Sequence, residues 1–340
     1  MKKKKTYYAS QTRLALKNFP FSLPLVHKEF IYAISYIKEA AAKAHIQNKD
    51  LSSQIAKAII RACKEVSQGQ FDDQFLLPGL QGGAGTSIHM NVNEVVATRA
   101  TEILVENGTY KKVHPNDHVN KSQSTNDVGP SAMKIACLKL VGNLLKTLDD
   151  AIIVFERKAT ELNHIVKLGR THLQDAVQTS LGEEFSSYAQ TIKRGKTRIE
   201  KTIPYFYELN LGGTAIGNSI NASLEYKKNV YRNLRRITKF PLGPATNLMS
   251  QTSSQTDFVM LSQVLVSLLV DFSKIANDIR LLAGGPNGGI GEIRLKELQP
   301  GSSIMPGKVN PVLAESVNQA YFLISGNNVT IEHAAQAAQL

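Results

Sequence analysis

The sequence is poor in cysteine. It has only Cys63 and Cys137, with no CxxC pair. Both sit in helical-looking patterns, which fits a reducing compartment with the thiols as small core residues. It also lacks a long apolar run. The longest, Val259 to Val270, is broken by Ser262, Gln263 and Ser267 and falls short of the roughly 20 residues a bilayer needs. The opening MKKKKTYY is followed by polar residues and Arg13 rather than by an apolar segment, so no secretory signal is read there. The expectation is a soluble, cytoplasmic protein with no membrane partner. There is no HExxH, and no Cys/His cluster has zinc spacing. His114 and His118 are four apart, but Pro115 and Asn116 break the helix that would align them. GGPNGGIG, Gly284 to Gly291, lacks both a GK[ST] ending and a preceding strand, so it is not a phosphate loop. Its glycines are read as places where the chain bends and moves.

One charge sign is in deficit. The 40 basic residues outnumber 28 acidic ones, for a net charge of +12. Basic residues are spread along the chain, and only Lys2 to Lys5 form a block, read as a frayed tail. Aromatics interleaved with basic patches are scarce, which argues against a nucleic-acid partner. A non-catalytic basic helical assembly or polyanion binder is the alternative of another class, and it predicts salt-sensitive binding.

Helical periodicity dominates what is present, and strand signals are sparse. Phe258, Leu261, Leu265, Leu268, Phe272, Ile275, Ile279 and Leu282 recur at alternating spacings of 3 and 4, a continuous seam. Val264, Val266, Leu269 and Val270 add apolar residues on other faces, which places this helix inside a bundle. A second seam, Ile135, Leu138, Val141, Leu145, Leu148, Ile152 and Phe155, predicts a helix over about 131–163. Further helices are expected over about 24–44, 52–65 and 181–201, and after Pro311. At 340 residues more than one domain is expected. The reading is an all-α fold: an N-terminal domain over 1–129, rich in loops, and a central helical bundle over 130–340, divided at Gly129–Pro130. The closing AAQAAQL holds no helix stop, so the chain is expected to end within a helix.

Four polar segments interrupt or border these helices: QGGAGTSIHMNVNE (Gln81 to Glu94), NKSQSTND (Asn120 to Asp127), GRTHLQD (Gly169 to Asp175) and GSSIMPGKVN (Gly301 to Asn310). The donors read in them are hydroxyls, amides, the His172 imidazole and the Lys308 ammonium. Such groups donate hydrogen bonds to a carboxylate and make a poor metal cage. One such loop would be an ordinary helix connection; four with the same donors suggest a site.

GSSIMPGKVNP resembles the GSSxMPxKxNP signature of the aspartase/fumarase superfamily at every specified position, and the other three segments resemble its remaining blocks in order. The resemblance runs from about Tyr8 to the end. QSTND and NPVLAESVNQ are closer to the ammonia-lyase branch than to the fumarases, which carry a second serine where Thr125 stands. The resemblance implies a small N-terminal helical domain, a central long-helix bundle and a homotetramer whose composite active sites draw loops from different chains. It also implies a C-terminal domain beyond the point where this chain stops, so a truncated, inactive chain is one expectation.

For activity, the resemblance implies removal of ammonia from L-aspartate to give fumarate, with fumarate hydration as the close alternative. Ser302 is the implied base, abstracting a proton beside the side-chain carboxylate. Thr86, Ser124, Thr125, Thr171 and His172 would surround the dianionic aci-carboxylate that forms. His172 is either an acid/base or a carboxylate binder. Lys308 and Asn310 would hold the other carboxylate, Asn126 would meet the amino group, and Ser303 would help bind substrate. No organic cofactor is implied. A divalent ion is left open as an activator, with no site for it in the sequence.

Overall fold

The structure is a computed structural model, and it describes residues 5–337. Its helices are α1 (Ser10–Asn18), α2 (Lys28–Asn48), α3 (Ser53–Ser67), α4 (Thr86–Glu106), α5 (Thr125–Leu162), α6 (Leu181–Tyr207), α7 (Leu224–Thr238), α8 (Leu248–Ser253), α9 (Thr256–Leu282) and α10 (Val312–Gln336). An antiparallel hairpin of β1 (Val166–Thr171) and β2 (Gln174–Ser180) stands between α5 and α6. Two two-residue strands, β3 (Glu208–Leu209) and β4 (Gly243–Pro244), pair in parallel. The fold is all-α, as the periodicity predicts. The two long seams lie on α5 and α9. The first third is less loop-rich than expected, because Gln81–Glu94 runs into α4.

The chain forms two compact units. One holds the residues up to Val141 together with Pro204–Ser254; the other holds Gly142–Ile203 and the residues from Gln255 onward. Gly129–Pro130 is no boundary between them, for it lies in the first turns of α5. In the first unit α2 packs on α3, α4 and α7. Its alanines Ala33, Ala40 and Ala44 are fully buried, so neighbouring helices approach closely. Buried Glu94 of α4 accepts the backbone N–H groups of Ala9, Gln11 and Thr12 at 2.8–3.1 Å. This places an anion where α1 leaves its N-terminal donors unpaired. Lys5, expected to belong to a frayed tail, pairs with Glu102 of α4; the rest of that lysine block lies outside the described residues.

In the second unit α9 packs along α10. The buried Asn318 amide donates to Ser273 Oγ at 2.7 Å and to its carbonyl at 3.2 Å, while accepting from Arg280 at 2.9 Å. Much of the apolar surface here is uncovered: Ile153, Val270, Phe322 and Leu323 are 60%, 47%, 64% and 66% exposed. By length and composition alone α5 and α9 could each cross a bilayer. This departs from the reading of the apolar run as too short, because α9 extends well past it. The core helix of a soluble bundle passes the same test.

Of the two cysteines, Cys63 is buried and Cys137 partly so, and both are free. Burial pushes the Cys137 thiol up to about 11.

Candidate active site

In the first unit the residues that the resemblance assigns to a site stand at two helix starts. Thr86 opens α4, exposed, one turn before buried His89. Ser124, Thr125 and Asn126 open α5. Here Ser124-Thr125-Asn126-Asp127 folds as a capping box: Ser124 Oγ accepts the Asn126 N–H at 3.2 Å, and Asp127 Oδ1 accepts the Ser124 N–H at 2.9 Å. Asp127 Oδ2 also takes the N–H groups of Gly212 and Thr214 at 2.9 and 3.0 Å. This one buried carboxylate therefore ties the Ser124 turn to the 211–222 segment. Burial pushes its pKa up, against the pull of the three N–H donors and Lys38. The Asn126 amide donates to the Ala215 carbonyl at 2.8 Å.

The Asp127 arrangement makes a stability prediction. Asp127→Ala leaves at least two buried N–H groups unpaired, at about 1–3 kcal/mol each. Urea unfolding should show a loss of roughly 2 kcal/mol or more. An unchanged midpoint would mean that the carboxylate is not what holds this turn.

The first turns of α4 and α5 meet through His89, whose Nδ1 lies 2.8 Å from Thr125 Oγ1. His89 Nε2 lies 2.6 Å from Lys38 Nζ, which also donates to Asn120 Oδ1 at 2.7 Å. Lys38 is fully buried. Neither Lys38 nor His89 stands among the residues implied by the sequence signature. The signal was present nonetheless: Ile31, Ile34, Lys38, Ala41 and His45 recur at spacings of 3 and 4, so a lysine sits in an apolar seam. Two helix N-termini meeting in this way favour an anion.

In the second unit, GRTHLQD is not a loop but the end of a hairpin. Thr171 pairs with Gln174, and His172 and Leu173 form the two-residue turn with φ of 52° and 62°. Both turn residues are thus in the left-handed region, where such turns favour Asn-Gly. The hairpin holds the His172 side chain exposed at its tip. At its base, Glu292 accepts from Lys167 Nζ at 2.5 Å and pairs with Arg170, which joins β1 to the stretch after the glycine-rich segment. Burial raises the Glu292 pKa, but Arg170 and Lys167 outweigh it and hold the group below the usual carboxylate range. The glycines of that segment serve close approach as well as bending. Gly291 N–H donates to the Gly284 carbonyl at 2.8 Å, and a Cβ on Gly289 would lie 2.4 Å from the same oxygen.

Ser302, Ser303, Lys308 and Asn310 share one loop that closes on itself. The Gly301 N–H donates to the Lys308 carbonyl at 3.1 Å, and the Asn310 amide donates to the Gly301 carbonyl at 2.9 Å. Gly301 is required here, since a Cβ would lie 2.2 Å from the Lys308 carbonyl oxygen. Ser302 Oγ accepts the Ile304 N–H at 3.3 Å. The Lys308 side chain is exposed and forms no ion pair among the described residues. Asn310 thus spends its amide on the loop.

So Thr86, Ser124, Thr125 and Asn126 lie in one unit, at two helix starts joined through His89 and Thr125. Thr171 and His172, and the group from Ser302 to Asn310, belong to the other. One cavity of the second unit, of about 410 Å³, is lined mainly by apolar residues, Phe155, Phe272, Ile279, Leu298 and Val317 among them, with Asn310 and Lys296 also on its wall. His114 and His118 are tied into their own turn: each Nδ1 accepts a backbone N–H, from Asp117 at 3.2 Å and from His114 at 2.9 Å. Among the described residues, no three His, Cys, Asp or Glu side chains form a group able to hold a metal ion.

A family described as lyase matches residues 2–326. The chain is 47% identical to an aspartate ammonia-lyase of Bacillus subtilis over 335 residues, covering 98% of this chain and 70% of that protein. It superposes with a TM-score of 0.94 on a Brucella melitensis structure described as fumarate lyase:delta crystallin bound to cobalt, at 44% identity, covering 99% of this chain and 74% of that one. With a class II fumarase from Schistosoma mansoni the TM-score is 0.95 at 35% identity, over 99% and 74% of the two chains.

Proposed function

The chain belongs to the lyase family, and from that membership we propose that it converts L-aspartate to fumarate and ammonia as a carbon–nitrogen lyase. The observation that carries the choice of leaving group is the 47% identity to an aspartate ammonia-lyase, against 35% to a fumarase of equally similar shape. The test is to follow fumarate formation from L-aspartate and from L-malate. The expected result is turnover of aspartate only; turnover of malate alone would make the protein a hydratase.

The chemical difficulty is the proton on the carbon beside a carboxylate that is already charged. Its removal gives an aci-carboxylate bearing two negative charges, which fixed donors must stabilise as that charge develops. Thr86, Ser124 and Thr125, at the starts of α4 and α5, and Thr171 and His172, at the hairpin tip, are assigned to that carboxylate. Lys308 holds the other carboxylate as a point charge. Asn310 acts beside it by fixing the loop through Gly301, and Ser303 lines the site. Asn126 faces the amino group after giving up its Ala215 contact. Ser302 is the base. A serine hydroxyl is too weak an acid to serve unaided. The Ile304 N–H already placed on Oγ is one of the donors that would stabilise its alkoxide, and Lys308 is a second source of positive charge.

The uncovered apolar faces of α9 and α10, together with a hairpin that alone would be marginally stable, support a homotetramer whose active sites combine loops of different chains. The protein is assigned to the cytoplasm. No organic cofactor is needed, since donors and base supply the chemistry; a divalent ion acts at most as an activator.

A further inference from the structure

Lys38, His89 and Thr125 form a buried chain of hydrogen bonds with one free end. Asn120 fixes the inner end. Its amide donates to the Gln123 carbonyl at 3.2 Å, so its oxygen faces Lys38 and must receive an N–H from it in any state. The remaining question is which way the other two bonds point. If Lys38 is an ammonium it donates to His89 Nε2. The imidazole then carries its proton on Nδ1 and donates to Thr125 Oγ1, and the threonine's own proton points elsewhere. If Lys38 is an amine, with one N–H on Asn120, its lone pair becomes available to accept from Nε2–H. Nδ1 is then the acceptor, and the Thr125 hydroxyl is spent on it.

We propose that Lys38 and His89 are positioning residues that set the direction of the Thr125 hydroxyl, so that an ammonium at Lys38 turns that hydroxyl outward to donate to a substrate carboxylate. The inference rests on the assignment of Thr125 as a carboxylate donor. The proton balance between the states is one proton. Lys38 loses an N–H bond as Nε2–H forms, Nδ1–H breaks as Oγ–H forms, and the original Thr125 hydroxyl proton leaves to water. No other group need change its bonds.

The surroundings place the change within an accessible pH range. Burial lowers the Lys38 pKa to about 7, partly opposed by Asp127 of α5 and Cys63 of α3. His89 of α4 is held well below its usual value by burial and then by Lys38, so it stays neutral. On the α7 side, Tyr226 and Tyr231 face Asp127 and are pushed well above the usual phenol range by burial. On α2 itself, Glu39 pairs with Lys43 at 2.6 Å. Lys38 is thus the group of this cluster that titrates near neutrality.

The test is the inhibition constant of succinate, which has no amine to titrate, measured against L-aspartate turnover from pH 6 to pH 8.5. In the unaltered protein succinate should bind roughly tenfold or more weakly at the high end, the loss expected for one hydrogen bond to a charged group. Lys38→Met should abolish this limb, and Thr125→Val should bind weakly at every pH with no limb. A limb that survives Lys38→Met, or a flat profile in the unaltered protein, overturns the proposal. If Thr125→Val binds succinate as the unaltered protein does, the assignment of Thr125 to the site fails first. Should Lys38→Met not fold, ¹⁵N-histidine spectra of the unaltered protein decide the matter, with the His89 signals identified by their loss in His89→Asn. A change from the Nδ1–H to the Nε2–H tautomer as pH rises through about 7 supports the proposal, and a single tautomer throughout contradicts it.

Discussion

Ser302→Ala is expected to lower kcat for L-aspartate by roughly 10²–10⁴-fold, the usual contribution of a positioned acid or base, with little change in KM. The closure of the loop around Ser302 does not depend on its hydroxyl, which among the described residues accepts only the Ile304 N–H. The loop is closed by the Gly301–Lys308 backbone pair and by the Asn310 amide, so removing one oxygen leaves the fold and the Lys308 anchor in place. What is lost is the atom that accepts the Ile304 N–H and, in the reaction, the carbon-bound proton. The substrate should therefore still bind. Steady-state kinetics and succinate inhibition, measured together, separate the two effects. A variant that keeps more than about a tenth of its kcat would take the base away from Ser302.

Lys308→Met is expected to act on binding and turnover together. An exposed ammonium without an ion-pair partner among the described residues gains its carboxylate only when substrate arrives and the loop is covered. Removing one member of such a desolvated charge pair costs about 2–5 kcal/mol, which lowers kcat/KM by roughly 30-fold to a few thousand-fold at about 1.4 kcal/mol per tenfold. KM should rise as well as kcat fall, unlike the serine variant. Circular dichroism and unfolding should be unchanged, since the loop uses the Lys308 carbonyl and not its side chain. A KM within a factor of two of the unaltered protein would show that the anchoring charge lies elsewhere.

How far the sequence foretold this arrangement varies by element. The seams of α5 and α9 were legible because their apolar residues keep helical spacing over many turns. The start of α10 was marked by Pro311. Thr86 and the Ser124-Thr125-Asn126 turn were legible as donors but not as helix starts. In α4 the polar residues Asn91, Asn93 and Glu94 are buried, so polarity there did not mean loop; Ile88, Val92 and Val95 carried the helical period. The hairpin was missed because its apolar residues Val166, Leu168 and Val177 are exposed while Lys167 and Arg170 are the partly covered ones, which leaves no apolar buried face to read, and because its turn is His-Leu rather than a turn dipeptide. Lys38 was missed for a different reason. A lysine in a helix is ordinarily solvated, and only the fold shows that no water reaches this one. What the helical spacing could not show is the meeting of the α4–α5 corner with the hairpin tip and the Ser302 loop, which the resemblance assigns to neighbouring subunits.

That meeting is the central claim, and a crystal structure of the assembled protein with succinate bound tests it most directly. The account predicts one carboxylate on Ser124, Thr125, Thr171 and His172 and the other on Lys308, with donors supplied by more than one chain and Ser302 Oγ facing a methylene carbon. Succinate bound away from these residues, or an assembly in which they never share a cavity, would contradict it.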